Sequence, residues 1–321
     1  MLTRAGLAVL DALAVGREAT VDDLAASTEY SRAHLYDVLD DLLDIGLLAE
    51  CREANNRRRV RLAAHPVAEA YRALRLKMGH FEWPELLSPS TLRVCWYLDE
   101  PRRIATVAER LGVTRQAAYE AIAPFKGRAM LSPDGPEYAL REGLAPLSSF
   151  ARAVVRHEHL SRARSLAPSA TVEWCDPRRA LVTVQTAADT DALTGAPDWQ
   201  VTGLARFTDY DLQFFLGDEP AFWYAPDDDG PDRSLTPAEV VAHTLCVDSG
   251  SRRVSYAMLL IEAIELDRTA LTETAQWYGL DAAVAAMAQW LDTASDPPES
   301  SPVPLPSETA FESLEAQYGL A

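Results

Sequence analysis

The sequence predicts an α+β chain in which a helix-turn-helix unit with a β-hairpin occurs twice, ahead of a small acidic α+β domain that ends in a helical bundle. Three observations predict this architecture. A pattern of apolar and polar residues near the N-terminus returns at an offset of 83. The charge divides sharply along the chain. After residue 168, short β-type runs precede a long helical stretch.

The charge is acidic overall and unevenly placed. The 321 residues hold 48 acidic and 30 basic side chains, for a net charge of −18, and nearly all the basic ones are arginine. Such a surface is typical of extreme halophiles, although an arginine-rich genome also explains it. Residues 1–165 hold 23 basic and 22 acidic side chains, whereas residues 166–321 hold 7 and 26. The balanced half indicates a polyanionic partner, with a merely solvated surface as the alternative.

Each copy of the repeat places a capped second helix after a tight turn. Apolar residues at helical spacing predict these helices at Ser31–Leu43 and Thr114–Lys126. The hydroxyls of Ser31 and Thr114 are suited to accept hydrogen bonds from free amides at the helix start. Beside the cap Ser31, the predicted exposed face of the first copy carries Arg32, His34, Tyr36 and Asp37. Beside the cap Thr114, that of the second copy carries Arg115, Gln116, Tyr119 and Glu120.

A β-hairpin is predicted after each second helix. The first pairs Leu47–Arg52 with Val60–Leu62, and the second pairs Met130–Leu131 with Tyr138–Leu140. The turn of the first hairpin carries three arginines, Arg57, Arg58 and Arg59. The turn of the second hairpin carries no positive charge.

The arrangement over residues 1–62 and 87–141 resembles the winged helix-turn-helix of MarR- and ArsR-type transcription regulators. The resemblance implies that the two second helices are recognition helices, that the hairpin turns are wings, and that the partner is double-stranded DNA. Base contacts are then expected from the helix faces and phosphate contacts from the three wing arginines. Protein docking is the alternative for either copy, and more so for the second, because Pro124 lies inside its helix.

Two longer helices are predicted beside the repeats, at Pro66–Met78 and Leu144–Ala167. Long helices in such positions favour a homodimer or another protein contact. The second one contains His157 and His159, which we interpret as solvated. Side chains two positions apart on a helix point in different directions, so these histidines predict no metal site.

The acidic half predicts a separate α+β domain. Short β-type runs at Thr171–Trp174, Ala180–Gln185 and Ala221–Tyr224 precede helices over Thr236–Asp292. A weaker resemblance to AbiEi-type antitoxins covers about residues 168–292. It is carried by Thr202-Gly203, Phe222-Trp223-Tyr224, Arg253–Ile264 and the segment from Leu271 to Tyr278-Gly279-Leu280. That resemblance implies a sensing or partner-binding domain and an antitoxin-like autorepressor.

One carboxylate pair in this half is the candidate for catalysis. Asp209 and Asp211 would lie on one side of an extended segment, the spacing with which nucleotidyltransferases hold Mg²⁺, and Asp227–Asp229 would add oxygen ligands. The Gly-Ser turn that such enzymes place upstream is missing. We therefore predict no enzyme, cofactor or metal site, and keep a metal-dependent nucleotidyltransferase as an alternative.

The C-terminal tail is predicted to be a flexible linker and one short helix. Residues 294–309 are rich in proline and serine and predict disorder. Ser307 caps an amphipathic segment with Phe311, Leu314 and Tyr318 on one face. A helix this short needs a docking surface on its own body, a second subunit or another protein.

Taken together, these patterns predict domains at 1–80, 81–167, 168–293 and 294–321. No apolar run approaches the ~18 residues of a membrane span, so we expect a cytoplasmic protein without membrane contact. The expected function is DNA-binding transcription regulation with a C-terminal sensing or partner domain. A winged-helix scaffold that binds only protein remains the main alternative.

Overall fold

The computed structural model describes residues 2–16, 18–52, 58–214, 220–225, 234–293 and 300–320. It divides into two compact units, Met1–Glu158 and His159–Ala321. The predicted α+β class is confirmed, because the chain combines many helices with small antiparallel sheets. The four-part division predicted from the sequence stays a prediction. No helix in the described ranges is long and apolar enough to cross a lipid bilayer.

The described residues from the N-terminus to the unit boundary form fourteen helices and strands, apart from one short 3₁₀ turn at Glu142–Leu144. They are α1 (Arg4–Val15), α2 (Val21–Ser27), α3 (Arg32–Asp44), β1 (Leu48–Arg52), β2 (Arg58–Leu62), α4 (Pro66–Lys77), α5 (Trp83–Leu86), α6 (Pro89–Tyr97), β3 (Arg102–Arg103), α7 (Ile104–Leu111), α8 (Arg115–Lys126), β4 (Leu131–Asp134), β5 (Glu137–Leu140) and α9 (Ala145–Leu166), the last of which contains the boundary.

The predicted helix caps are present in both copies. The Ser31 hydroxyl accepts a hydrogen bond from the His34 amide at 3.4 Å, and the Thr114 hydroxyl accepts one from the Ala117 amide at 3.2 Å. Each hydroxyl satisfies one of the amides that a helix start leaves without an intrahelical partner. The second helices therefore begin where the sequence places them.

The two copies also end their second helices in the same way. Gly46 and Ala129, which are 83 positions apart, both have a left-handed backbone, with φ of +76° and +53°. The amide that follows each of them bonds back into the helix, from Leu47 to Leu42 at 2.9 Å and from Met130 to Phe125 at 3.0 Å. The repeat seen in the sequence is thus reproduced in backbone hydrogen bonds.

The hairpins differ in detail from the prediction. β1 pairs with β2 in antiparallel register from Leu48 opposite Leu62 to Arg52 opposite Arg58. Arg58 and Arg59 therefore lie on a strand rather than on the turn, and Arg57 lies outside the described residues. Strand pairing extends past the apolar run because backbone groups form the ladder whatever the side chain.

The second hairpin belongs to a three-stranded sheet of order β3-β5-β4. β4 and β5 extend to Asp134 and Glu137, so the turn between them is shorter than predicted. The third strand, β3, has two residues and pairs with β5. It was not predicted, because so short a segment carries no periodic pattern.

The elements of the second unit form one antiparallel sheet and a set of helices. They are β6 (Thr171–Cys175), β7 (Ala180–Thr183), α10 (Ala187–Thr194), β8 (Trp199–Thr202), a 3₁₀ helix (Gly203–Tyr210), β9 (Ala221–Tyr224), α11 (Pro237–Val247), α12 (Ser251–Ala263), α13 (Arg268–Tyr278), α14 (Asp281–Thr293) and α15 (Glu308–Tyr318). The strand order is β6-β7-β9-β8, and every residue of β7 and β9 is buried.

The tail docks on its own unit. Phe311 is 4% exposed, and its ring centroid lies 5.1 Å from that of Trp290. Val303 is buried in the same core, so the prediction of disorder is wrong for residues 300–309. Residues 294–299 lie outside the described part of the chain. Of the three docking surfaces considered for the tail helix, the body of its own chain is the one observed.

Candidate nucleic-acid interface

The first candidate surface is the outer face of α3. Leu35, Leu39 and two further apolar side chains of α3 are buried, whereas Ser31, Arg32, His34 and Tyr36 are exposed. The structure therefore brings the four site residues predicted on the second helix of the first copy to one end of that helix. Arg32 is not free there, because its Nε lies 3.0 Å from the Asp22 carboxylate on α2.

The same helix carries a strong acidic charge. Asp37, Asp40, Asp41 and Asp44 are all exposed, against the single basic residue Arg32. Carboxylates repel a phosphate backbone at short range. Only the first turn of α3 is thus free of negative side chains.

The basic strand beside α3 is tied to these carboxylates. The Arg58 guanidinium bonds Asp40 at 2.8 Å, and its Nε lies 3.0 Å from Glu50. The hydrogen bond to Asp40 raises the pKa of Arg58 above its already high value. Arg59 is half-buried on the same strand, so neither described arginine of the predicted wing projects from a turn.

The second candidate surface is the outer face of α8. Arg115, Gln116 and Tyr119 are exposed, and Thr114 caps the helix beside them. Arg115 makes no ion pair with any residue of the described ranges. The Gln116 amide donates to Glu120 at 2.8 Å, so the one carboxylate of α8 is held by a neutral group.

The C-terminal end of α8 adds two further cations. Lys126 Nζ lies 4.8 Å from the ring centroid of Tyr138 and 5.7 Å from that of Tyr119, and it bonds the Tyr138 hydroxyl at 3.2 Å. Arg128 donates to the Pro124 carbonyl at 3.2 Å. Lys126 and Arg128 are not among the site residues predicted from the sequence. Lysine is scarce in the chain, and this scarcity is the sequence feature that could have drawn attention to Lys126.

The candidate catalytic carboxylates are not arranged as predicted. Asp209 lies in a 3₁₀ helix and pairs with Arg206 at 2.7 Å, and Asp211 follows it with a left-handed backbone at φ +61°. The segment is therefore not extended, and that expectation is wrong. Residues 227–229 lie outside the described ranges, within which no three His, Cys, Asp or Glu side chains are grouped to hold a metal.

The interpretation of the α9 histidines as solvated is also wrong. His157 is half-buried, with its ring 4.8 Å from that of His65. His159 is 3% exposed, and its Nε2 lies 2.8 Å from the Asp176 carbonyl. Arg162 lies 3.0 Å from Nδ1 and has only protons to donate, so the proton of neutral His159 is on Nε2.

A buried polar cluster in the second unit was not predicted. His243 is fully buried, with Nδ1 2.7 Å from the Thr202 hydroxyl and Nε2 2.9 Å from the Tyr278 hydroxyl. Its ring packs on Trp223 at 4.3 Å, and burial raises the pKa of Tyr278. Both ring nitrogens are satisfied, which is the arrangement that stabilises a buried imidazole.

Comparison with known proteins reaches only the second unit. Residues 196–320 match the model of the family HVO_2833_C, described as C-terminal. No curated protein matches the chain, and no solved structure matches it. The match includes all four residues of the buried cluster around His243, and it leaves both copies of the repeat outside.

Proposed function

We propose that this protein is a DNA-binding transcription regulator with tandem winged helix-turn-helix modules and a C-terminal domain that senses a signal or binds a partner. The proposal rests on one observation above all. Each copy presents a capped second helix with an exposed arginine and an exposed tyrosine at the same two positions, Arg32 and Tyr36 or Arg115 and Tyr119.

The arrangement of each copy suits a duplex groove. A single α-helix fits the major groove of B-DNA, where arginine and glutamine side chains read base edges. In both copies a hairpin follows this helix directly, at β1–β2 and at β4–β5. The resemblance to MarR- and ArsR-type regulators, noted from the sequence, supports the same assignment.

The charges of the two units support a division of roles. The first unit, residues 1–158, holds 21 basic and 22 acidic side chains, and the second, residues 159–321, holds 9 and 26. A duplex is repelled by the second unit and not by the first. We therefore assign DNA binding to the first unit and sensing or partner binding to the second. If the protein is an antitoxin-like autorepressor, the second unit binds the partner.

The long helices α4 and α9 are the proposed surface for a homodimer or another protein contact. The apolar face of the tail helix is covered within its own unit, so it offers no contact surface of the kind expected from the sequence. On α4, Leu76 is 68% exposed, which is a large exposed fraction for leucine. The proposal assigns the chain no cofactor and no catalytic role.

Selection from a random duplex pool tests the proposal. The full chain is incubated with the pool at about 0.1 M and about 2 M KCl, because salt screens non-specific attraction. We expect one sequence class to be enriched at the higher salt. Arg252→Ala, at an exposed position on α12 of the second unit, is the control that removes a cation outside the proposed DNA-binding unit and leaves binding unchanged. If no duplex is retained at either salt, the winged-helix scaffold that binds only protein replaces this proposal.

A further inference from the structure

We infer that α8, rather than α3, is the helix that reads the duplex, an inference that rests on the proposed function. Residues 83 positions apart occupy the same place in the two copies, so the helix faces are compared position by position. At the outer positions of the C-terminal half, α3 and the residue after it carry Asp40, Asp41, Leu43, Asp44 and Ile45, where the second copy has Ala123, Pro124, Lys126, Gly127 and Arg128.

These differences reverse the charge that each helix would place beside the major groove. Three carboxylates of the first copy are replaced by uncharged residues, and two apolar residues are replaced by cations. A helix in the major groove is flanked by phosphates on both walls. The end of α3 is therefore repelled where the end of α8 is attracted.

The two equivalent arginines also differ in what binding requires of them. Arg32 lies 3.0 Å from the Asp22 carboxylate, and this pair must separate before the guanidinium reaches a base. Arg115 has no such carboxylate among the described residues. The second copy is thus ready for the bidentate contact to guanine that arginine favours.

The cations of the second copy keep their charge while being held in place. Tyr119 and Tyr138 hold Lys126 through their ring faces and a hydroxyl, which restrict the side chain without neutralising it. The Arg128 partner is a backbone carbonyl, which is also uncharged. In the first copy, by contrast, Arg58 is held by two carboxylates that cancel its charge.

Exchange of the acidic residues between the copies tests the inference. The variant Ala123→Asp/Gly127→Asp gives α8 two of the three carboxylates that distinguish α3, and the reverse variant Asp40→Ala/Asp44→Gly removes the same two from α3. Gly127 has φ of −62°, and a Cβ there lies no closer than 3.7 Å to another atom, so aspartate fits. Ala123→Asn/Gly127→Asn is the matched control of the same size without charge.

The measurement is duplex affinity of the full chain, on the enriched sequence, as a function of KCl. We expect the double-aspartate variant to bind at least about tenfold more weakly than the double-asparagine control. Arg115→Ala is expected to weaken duplex affinity about tenfold, and Arg32→Ala is expected to weaken it by less than about threefold. Lys126→Gln and Arg128→Gln are each expected to reduce the slope of log K against log [KCl] by about one.

The outcomes separate this inference from the proposed function. Failure of the wild-type chain to bind any duplex overturns both. Binding by the wild type together with a larger loss in Arg32→Ala than in Arg115→Ala overturns the assignment to α8 alone. A gain of tenfold or more in Asp40→Ala/Asp44→Gly also overturns it, because α3 would then lie against the phosphates. Circular dichroism of each variant confirms that the fold is retained.

Discussion

The docking of the tail helix gives a prediction whose size follows from the structure. Phe311 is the most buried residue of α15, at 4% exposure, and its ring meets Trp290 edge-on at an interplanar angle of 76°. Tyr318 on the same face lies 4.9 Å from the ring of Phe214. The perturbation that tests this packing is Phe311→Ala in the full chain.

The expected loss of stability is about 3 kcal/mol, the lower end of the range for a buried phenylalanine replaced by alanine. The edge-on ring pair accounts for roughly 1 kcal/mol of it. For a unit of this size each kcal/mol lowers the melting temperature by about 2–4 °C, which predicts a fall of roughly 6–12 °C for the second unit. Hydrogen exchange of the α15 amides is expected to accelerate in parallel.

Calorimetry of the full chain measures the effect. Glu312→Ala is the matched control, because it is the next residue of the same helix and its side chain is exposed. A shift for Phe311→Ala no larger than that of Glu312→Ala would refute the reasoning. It would mean that the tail helix does not stabilise the unit it packs on, and that its apolar face is available to another molecule.

Three further predictions concern the backbone, pH and salt. Ala129→Gly is expected to stabilise the chain by about 1 kcal/mol in urea unfolding, because alanine is strained at φ +53°, and Gly46→Ala to destabilise it similarly. Burial lowers the pKa of His65 and His157, and for His157 the neighbouring His65 adds to this. Both histidines are uncharged in the folded and unfolded chain above the unfolded pKa of about 6.5, so they cost no stability there. Below that pH the unfolded chain binds protons more readily than the folded chain, and the free energy of unfolding falls. His157→Gln should flatten that decline in melting temperature between pH 7 and pH 5, whereas an unchanged decline contradicts the assignment. The second unit has 26 acidic and 9 basic groups, and salt screens the repulsion among them, so its melting temperature should be higher in about 2 M than in about 0.1 M KCl. An equal or lower melting temperature at the higher salt would contradict the halophile interpretation.

Helices were predictable from the sequence because their signals are local. The starts at Ser31 and Thr114, the spacing of buried residues on α3 and α8, and the extents of α4 and α9 all follow from residues a few positions apart. The repeat at an offset of 83 was visible for the same reason. Each copy encodes its own turn and helix independently of the rest of the chain.

Strand partners were less predictable. β3 was missed, since it is held by β5, a partner distant in sequence, and has no pattern of its own. The carboxylates Asp209 and Asp211 were placed on an extended segment for a related reason. Whether a short polar stretch is extended or coiled depends on what packs against it, and here that is the core around Phe207.

The sequence by itself determined the class of the fold, the two capped helices, the candidate side chains on their faces and the separation of charge between the halves. Only the tertiary structure decided which of those side chains are available. Asp22 binds Arg32, Asp40 binds Arg58, and aromatic rings hold Lys126. The physical reason is that helical periodicity acts over one turn, whereas an ion pair joins whatever charges the packing of separate elements brings within about 4 Å.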